Sequence, residues 1–233
     1  ELWGYSPEEV IANINLLWKQ IELGGSLERV KQAVLDSITS KSKWTATWRN
    51  VKPNGEVKTY LGLGTPSYLI DGTILFNSVV LDVTYEEKNK ELLEQTSKLA
   101  RIGSWEVDLI NNQLFWSDIV YEIHETSITD FNPNIDTAIN FYRKDFRDLI
   151  ACRVQDCIKN GKPYNFEAVL VTAKNNEIWI RTHGNAEIIN GKVIRIYGSI
   201  QDINQQKLNE IAQLLSGSKI TEAALAQAKE LIG

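Results

Sequence analysis

The chain is poor in the side chains that most often carry chemistry. Of 233 residues two are cysteine, two are histidine and none is methionine, the first position included. Cys152 and Cys157 lie five apart on a stretch with helical patterning. That spacing offers no disulfide framework and no metal site, and it suits a reducing, cytoplasmic setting. Both cysteines read as small core or half-buried residues. The histidines are His124 and His183, and neither has a cysteine or a nucleophile elbow beside it. Counting alone does not exclude a Ser/His/Asp triad, but nothing marks one. His124 stands between Glu122 and Glu125 and reads as a surface residue. No phosphate-binding loop and no dinucleotide glycine fingerprint occurs, and no cluster of His, Cys and carboxylates offers a metal site. No catalytic residue and no metal ligand is therefore assigned. No apolar run reaches the roughly 18 residues needed to cross a bilayer, and no secretory leader is visible. The formal net charge is −5, so the surface has no broad attraction for nucleic acid or an anionic membrane.

What the chain does have is strand signal and tryptophan. Hydrophobic residues make up 43%, and seven Trp with eight Tyr can fill two cores. Tyr164–Thr172, Ile178–Ile188 and Lys192–Gln201 read as three consecutive strands, separated by Lys174-Asn175-Asn176 and by Asn190-Gly191. Ile194, Ile196, Gly198 and Ile200 alternate with Arg195, Tyr197 and Ser199, so one face meets a core. The third strand runs through Asp202-Ile203-Asn204 into a charged, helix-prone run. The layout occurs a second time in Lys43–Thr84, with turns at Pro53-Asn54-Gly55 and Asp71-Gly72 and an exit at Asp82-Val83-Thr84. The two exits are about 120 residues apart, the size of one ordinary domain.

The helical segments follow from caps and stripes. Ser6 before Pro7-Glu8-Glu9 marks a helix start. Asn13–Ile21 continues as a short helix closed by Gly24-Gly25. Ser26 is placed as the cap of a helix striped by Leu27, Val30, Val34, Leu35 and Ile38. Tyr85–Ala100 is a polar helix with Leu92 and Leu99 one heptad apart; a solvated linker and a short parallel coiled coil both fit it. Gly103–Leu109 and Gln113–Trp116 are strands joined at Asn111-Asn112. Ser117 is placed as the cap of a short helix, and Asp136–Phe141 is another. Phe146–Asn160 is the long helix, stopped at Asn160-Gly161. After Asn204 a helix carries Leu208, Ile211 and Leu215. Ser216-Gly217-Ser218 interrupts it, and Lys219–Ile232 is again helical. The arrangement predicts an α+β fold: an antiparallel five-stranded sheet with helices on one face.

At several of these points the chain resembles the PAS sensory family, in its Trp-rich sub-family with a C-terminal PAC motif. The resemblance rests on Gly103-Ser104-Trp105-Glu106-Val107-Asp108-Leu109, Leu114-Phe115-Trp116-Ser117-Asp118, Trp179-Ile180-Arg181, and the exits Asp82-Val83-Thr84 and Asp202-Ile203-Asn204. It implies two tandem PAS-like domains: a truncated one over 1–84 without its two opening strands, and a complete one over 101–204. Residues 85–100 would be a linker helix and 205–233 a signalling helix or tail. The first sheet should then expose an edge or recruit a strand. The resemblance further implies a sensory input module of a larger signalling protein, most often a histidine kinase, working as a homodimer along its linker helices and feeding a downstream output domain. There is no His after His183, so the chain holds no phospho-acceptor helix and no kinase. A ligand-free dimerisation scaffold and an input to a cyclic-dinucleotide enzyme are the alternatives. A small ligand could lie between sheet and helices against Trp116, Phe141, Tyr142 and Ile196, although these residues could equally just fill the core. Haem and covalently held flavin are disfavoured, because the long helix has no His and neither copy has the light-sensing Asn-Cys-Arg-Phe-Leu-like helix. Arg181 and Asp202, with Asp82 in the first copy, are the expected relay from sheet to outgoing helix.

Overall fold

The structure is a computed structural model that describes residues 2–217 and 220–232. Ser218 and Lys219, where the sequence places the end of the interruption and the start of the last helix, lie outside the described residues. The chain forms two compact units, Glu1–Leu93 and Glu94–Gly233.

In the first unit α1 (Pro7–Ala12), α2 (Asn15–Leu23) and α3 (Leu27–Ser40) precede β1 (Trp44–Val51), β2 (Val57–Tyr68) and β3 (Ile74–Asp82). The strands form an antiparallel sheet in the order β1-β2-β3. Among the described residues β3 pairs with β2 alone. Helix α1 starts in a capping box: Ser6 Oγ accepts the Glu9 N–H and Glu9 accepts the Ser6 N–H. Alternation on β1 buries Trp44, Ala46 and Trp48, and Tyr60 faces them from β2. Trp3 stacks on Trp48 at 6.3 Å, and the Tyr60 hydroxyl donates to the Leu2 carbonyl. The indoles lie flat only because β2 has glycine beneath them: a Cβ on Gly62 would stand 2.5 Å from both Trp44 and Trp48. Two expectations for α3 are corrected. Leu35 is 55% exposed, because a 14-residue helix on a three-stranded sheet has only a narrow buried stripe. The Ser26 hydroxyl does not cap the helix; it accepts the Arg49 N–H and so ties the helix start to β1. Helix α4 (Thr84–Ala100) follows β3, and none of its residues is buried.

The second unit contains β4 (Ile102–Asp108), β5 (Gln113–Trp116), α5 (Asp118–Ile123), α6 (Ile135–Ile139) and α7 (Lys144–Asn160). These are followed by β6 (Tyr164–Val171), β7 (Glu177–Ile189), β8 (Lys192–Asp202), α8 (Asn204–Ser216) and α9 (Glu222–Ile232). Its five-stranded sheet is antiparallel, in the order β5-β4-β8-β7-β6. The β7–β8 turn has Asn190 at φ 52° and Gly191 at φ 76°, the left-handed pair that a two-residue hairpin requires. Ala168, Leu170, Ile180 and Ile196 are fully buried between the sheet and the helices. Ser117, like Ser26, is not a side-chain cap: its Oγ accepts the Ser104 N–H at 3.0 Å and fastens α5 to β4. Of the two cysteines Cys157 is buried, while Cys152 is exposed on the far side of α7.

The C-terminal helices correct another expectation. The stripe Leu208, Ile211 and Leu215 on α8, at the spacing of a coiled-coil seam, predicts pairing with a second copy, but Leu208 meets its own chain. It is buried, with Ala212, against Ala224 and Ala228 of α9 in the same chain, and Ile211 packs on the same cluster. Small alanines let the two helices approach closely enough to close this seam internally. Leu215, beyond the cluster, stays 43% exposed.

Candidate functional site

Sheet and helices of the second unit frame a partly open cavity of about 70 Å³. Trp116, Tyr142 and Ile196 line it, among other residues. Phe141 does not; it lies behind the wall, 4.8 Å from the His124 ring and 6.1 Å from Trp116. Its place at the cavity is taken by His124, which the sequence reading put on the surface and which is 2% exposed. The reason is helical position. His124 follows Val120 by four residues and shares its buried face, while Glu122 points away.

His124 is held on every side. Its Nδ1 lies 2.7 Å from the Val120 carbonyl oxygen, so Nδ1–H donates and Nε2 is the acceptor nitrogen. Its ring stacks on Trp116 at 4.3 Å. Its own carbonyl accepts the Ala173 N–H, and the next carboxylate, Glu125, accepts from Thr172 and from Asn176 Nδ2. Burial lowers its pKa from 6.5 to about 4, although the Val120 carbonyl pulls the other way. Burial also pushes Tyr142 up to about 12, although Thr182 pulls the other way, and raises Tyr164. No Asp, Glu, Lys or Arg lines the cavity. Near neutral pH the wall is therefore uncharged, with an apolar lining and a few hydrogen-bonding groups.

The second feature is the way each sheet hands over to a helix. At the end of β8, Asp202 Oδ1 accepts the Asn204 N–H at 2.9 Å, Asn204 Oδ1 accepts the Trp179 N–H, and the Ile203 N–H bonds the Trp179 carbonyl. At the end of β3, Asp82 Oδ1 accepts the Thr84 N–H at 3.0 Å, Thr84 Oγ1 accepts the Thr59 N–H, and the Val83 N–H bonds the Thr59 carbonyl. The wiring is the same in both units. The cation is not: Asp202 pairs with Arg101 Nε at 3.0 Å, and Asp82 with Lys58 at 3.4 Å. Burial raises the Asp82 pKa, but the hydrogen bonds from Thr84 and Lys58 outweigh it and leave the carboxyl below its ordinary range.

Arg181 does not meet Asp202. In register Arg181 faces Gln201, while Asp202 faces Ile180, so the two side chains leave opposite faces of the sheet. Arg181 instead bonds Glu167 at 2.8 Å, and Glu167 also binds Lys207 of α8 at 2.6 Å. Lys207 further lies over the Trp179 ring. Its hydrogen bond, before burial and Arg181, dominates the lowered pKa of Glu167. Two polar ties thus reach α8, one on each face of the sheet. Because Thr59 stands where Trp179 does, Leu61 occupies the place of Arg181 in the first unit, and the outer tie has no counterpart there.

No helix among the described residues is long and apolar enough to cross a membrane, and no group of three or more His, Cys, Asp or Glu among them could hold a metal ion. Comparison with curated proteins gave no match. Among solved structures the chain is similar to a sensory box histidine kinase/response regulator from Burkholderia thailandensis E264, at 19% identity over 53% of this chain and 93% of that one, with a TM-score of 0.44. It is also similar to the N-terminal domain of a diguanylate cyclase with PAS/PAC sensor from Marinobacter aquaeolei, at 9% identity over 45% of this chain and 97% of that one, TM-score 0.42. A PAS domain from Colwellia psychrerythraea is similar at 14% identity over 49% of this chain and 98% of that one, TM-score 0.38. Residues 113–200 match the family described as PAS fold. From β5 through most of β8, the chain therefore has the PAS fold.

Proposed function

We propose that the chain is the sensory input part of a larger signalling protein, built from two PAS-like units in tandem. The observation that carries this reading is the repeated sheet-to-helix junction, Asp82–Thr84–Thr59 in one unit and Asp202–Asn204–Trp179 in the other. A junction with no glycine or proline slack transmits a shift of the last strand to the first turn of the helix it feeds. The cavity between sheet and helices supplies the place where a small molecule would cause such a shift. A histidine kinase is the output domain that the resemblance favours, and the chain itself contributes no catalysis.

Helix α4 is the proposed dimer contact. Leu92 is 59% and Leu99 88% exposed, one heptad apart. A 17-residue helix without buried residues gains stability from a twin laid alongside it. α8 makes no equivalent contact, since α9 covers its seam.

The test is Asp202→Ala. The sheet should remain folded, and the first-turn amides of α8 should exchange faster with solvent. In the intact parent the response to signal should change. Unaltered exchange in α8 together with an unaltered response would overturn the relay.

A further inference from the structure

The cavity wall carries one ring nitrogen, Nε2 of His124, that accepts and does not donate. Val120 fixes the tautomer of His124 by taking its Nδ1–H, Trp116 fixes the ring plane, and Nε2 has no hydrogen-bond partner among the described residues. On an otherwise apolar wall such an acceptor favours a guest that donates to it. The other polar groups of the wall are hydroxyls, those of Tyr142, Tyr164 and Thr182. No wall residue is charged near neutral pH, so an anionic or cationic guest would lose its hydration without gaining a counter-ion. The rest of the surface is apolar and largely aromatic, with Trp105, Trp116 and Tyr164 among it. The space of about 70 Å³ is smaller than the engineered cavity of about 150 Å³ that takes up benzene.

The geometry points to a neutral ligand of a few heavy atoms, with a flat or compact apolar body and one N–H or O–H group that donates to Nε2 of His124. This deepens the sensory reading and rests on it, by naming the chemical class that the cavity accepts. Carboxylates, phosphates and amines protonated at neutral pH fall outside that class. So do haem and flavin, whose bulk is several times the space available. A compact hydrocarbon without a donor fits the walls but leaves Nε2 unsatisfied.

The test uses two probes of nearly equal shape, pyrrole, which has a ring N–H, and furan, which has none. Each is titrated into the full chain by ligand-observed NMR, while the ¹⁵N shift of His124 Nε2 is followed at neutral pH. One neutral hydrogen bond corresponds to about a three- to tenfold difference in affinity. Pyrrole should bind tighter than furan by that factor and should move the Nε2 resonance, which furan should not. In His124→Phe the ring and its stacking on Trp116 are kept and the acceptor is lost, so the two affinities should become equal. Should that variant fail to fold, the wild-type comparison and the Nε2 shift still decide the matter. Equal binding of both probes to the wild type, with Nε2 unmoved, overturns the donor assignment and leaves a ligand cavity. Binding of neither probe overturns the assignment together with the reading of the cavity as a small-molecule site.

Discussion

His124 makes the stability of the second unit depend on pH, in a direction set by its burial. In the folded chain the imidazole is held neutral down to about 4, while in the unfolded chain it takes a proton near 6.5. Between those values the unfolded state binds a proton that the folded state does not. The stabilising contribution is therefore fully present above about pH 6.5 and is lost progressively as the pH falls towards 4. The whole window corresponds to about 3 kcal/mol, of which about 2 kcal/mol is lost by about pH 5. Urea unfolding followed through the amide NMR signals of Ile180 and Ile196, both fully buried in this unit, measures it at pH 7.5 and pH 5. Carboxylates elsewhere also respond to acid, so the informative quantity is the difference between wild type and His124→Phe. That difference should shift by about 2 kcal/mol in favour of the variant on going to pH 5. An equal loss in both proteins would mean that His124 is either accessible to protons in the folded state or not buried as described.

Gly62→Ala forces a methyl group to within 2.5 Å of Trp44 and Trp48, and should destabilise the first unit by about 1–3 kcal/mol through overpacking, measured by thermal unfolding followed by tryptophan fluorescence. Asp202→Ala removes the acceptor of the Asn204 N–H and the partner of Arg101, whose side chain is 60% exposed. The two losses together are about 1–2 kcal/mol, confined to α8 exchange and too small to unfold the sheet. Leu92→Lys with Leu99→Lys should turn a sedimenting dimer into a monomer; a wild type that is already monomeric at high concentration removes the α4 contact instead. Purified protein should show no haem Soret band and no stoichiometric flavin spectrum, and either one would contradict the size and lining of the cavity.

Hairpin punctuation was readable in the chain because it depends on local chemistry. Asn190-Gly191, Asp71-Gly72 and Pro53-Asn54-Gly55 dictate turns whatever surrounds them, and the strands between them follow. Side-chain partners were harder. Arg181 and Asp202 lie on neighbouring strands, yet a one-residue difference in register puts them on opposite faces, and nothing local sets that register. His124 was missed for a related reason. Its neighbours along the chain are acidic, but its neighbours in space are Val120, Trp116 and Phe141. The spacing of four from Val120, on the face that also carries Ile119 and Ile123, was the available signal. The internal closure of the α8 seam was not legible, because the alanines of α9 suggest a helix without saying what it packs on.

The parity that separates Arg181 from Asp202 also connects Asp202 to the cavity. Along β8, Ile196, Gly198, Ile200 and Asp202 share one face, because side chains alternate. Ile196 and Ile200 line the cavity, and Asp202 lies one same-face step further, about 7 Å along the strand. Gly198, between them, carries no side chain; Trp105 and the His183 carbonyl stand where a Cβ would lie. A guest that displaces Ile200 would move the strand one same-face step from Asp202, at the end of β8. The carboxylate of Asp202 is at that end, bonded at once to the first turn of α8 and to Arg101 at the end of the incoming linker helix. On the sensory reading proposed above, a shift of α4 and a guest in the cavity would both bear on this one carboxylate. Ile200→Ala, which shortens the contact with the cavity and leaves both junction bonds intact, should weaken the response of α8 exchange to pyrrole while preserving its response to Asp202→Ala. An undiminished pyrrole response in Ile200→Ala would place the route from cavity to helix elsewhere, with the Glu167–Lys207 tie on the opposite face as the next strand-to-helix link to test.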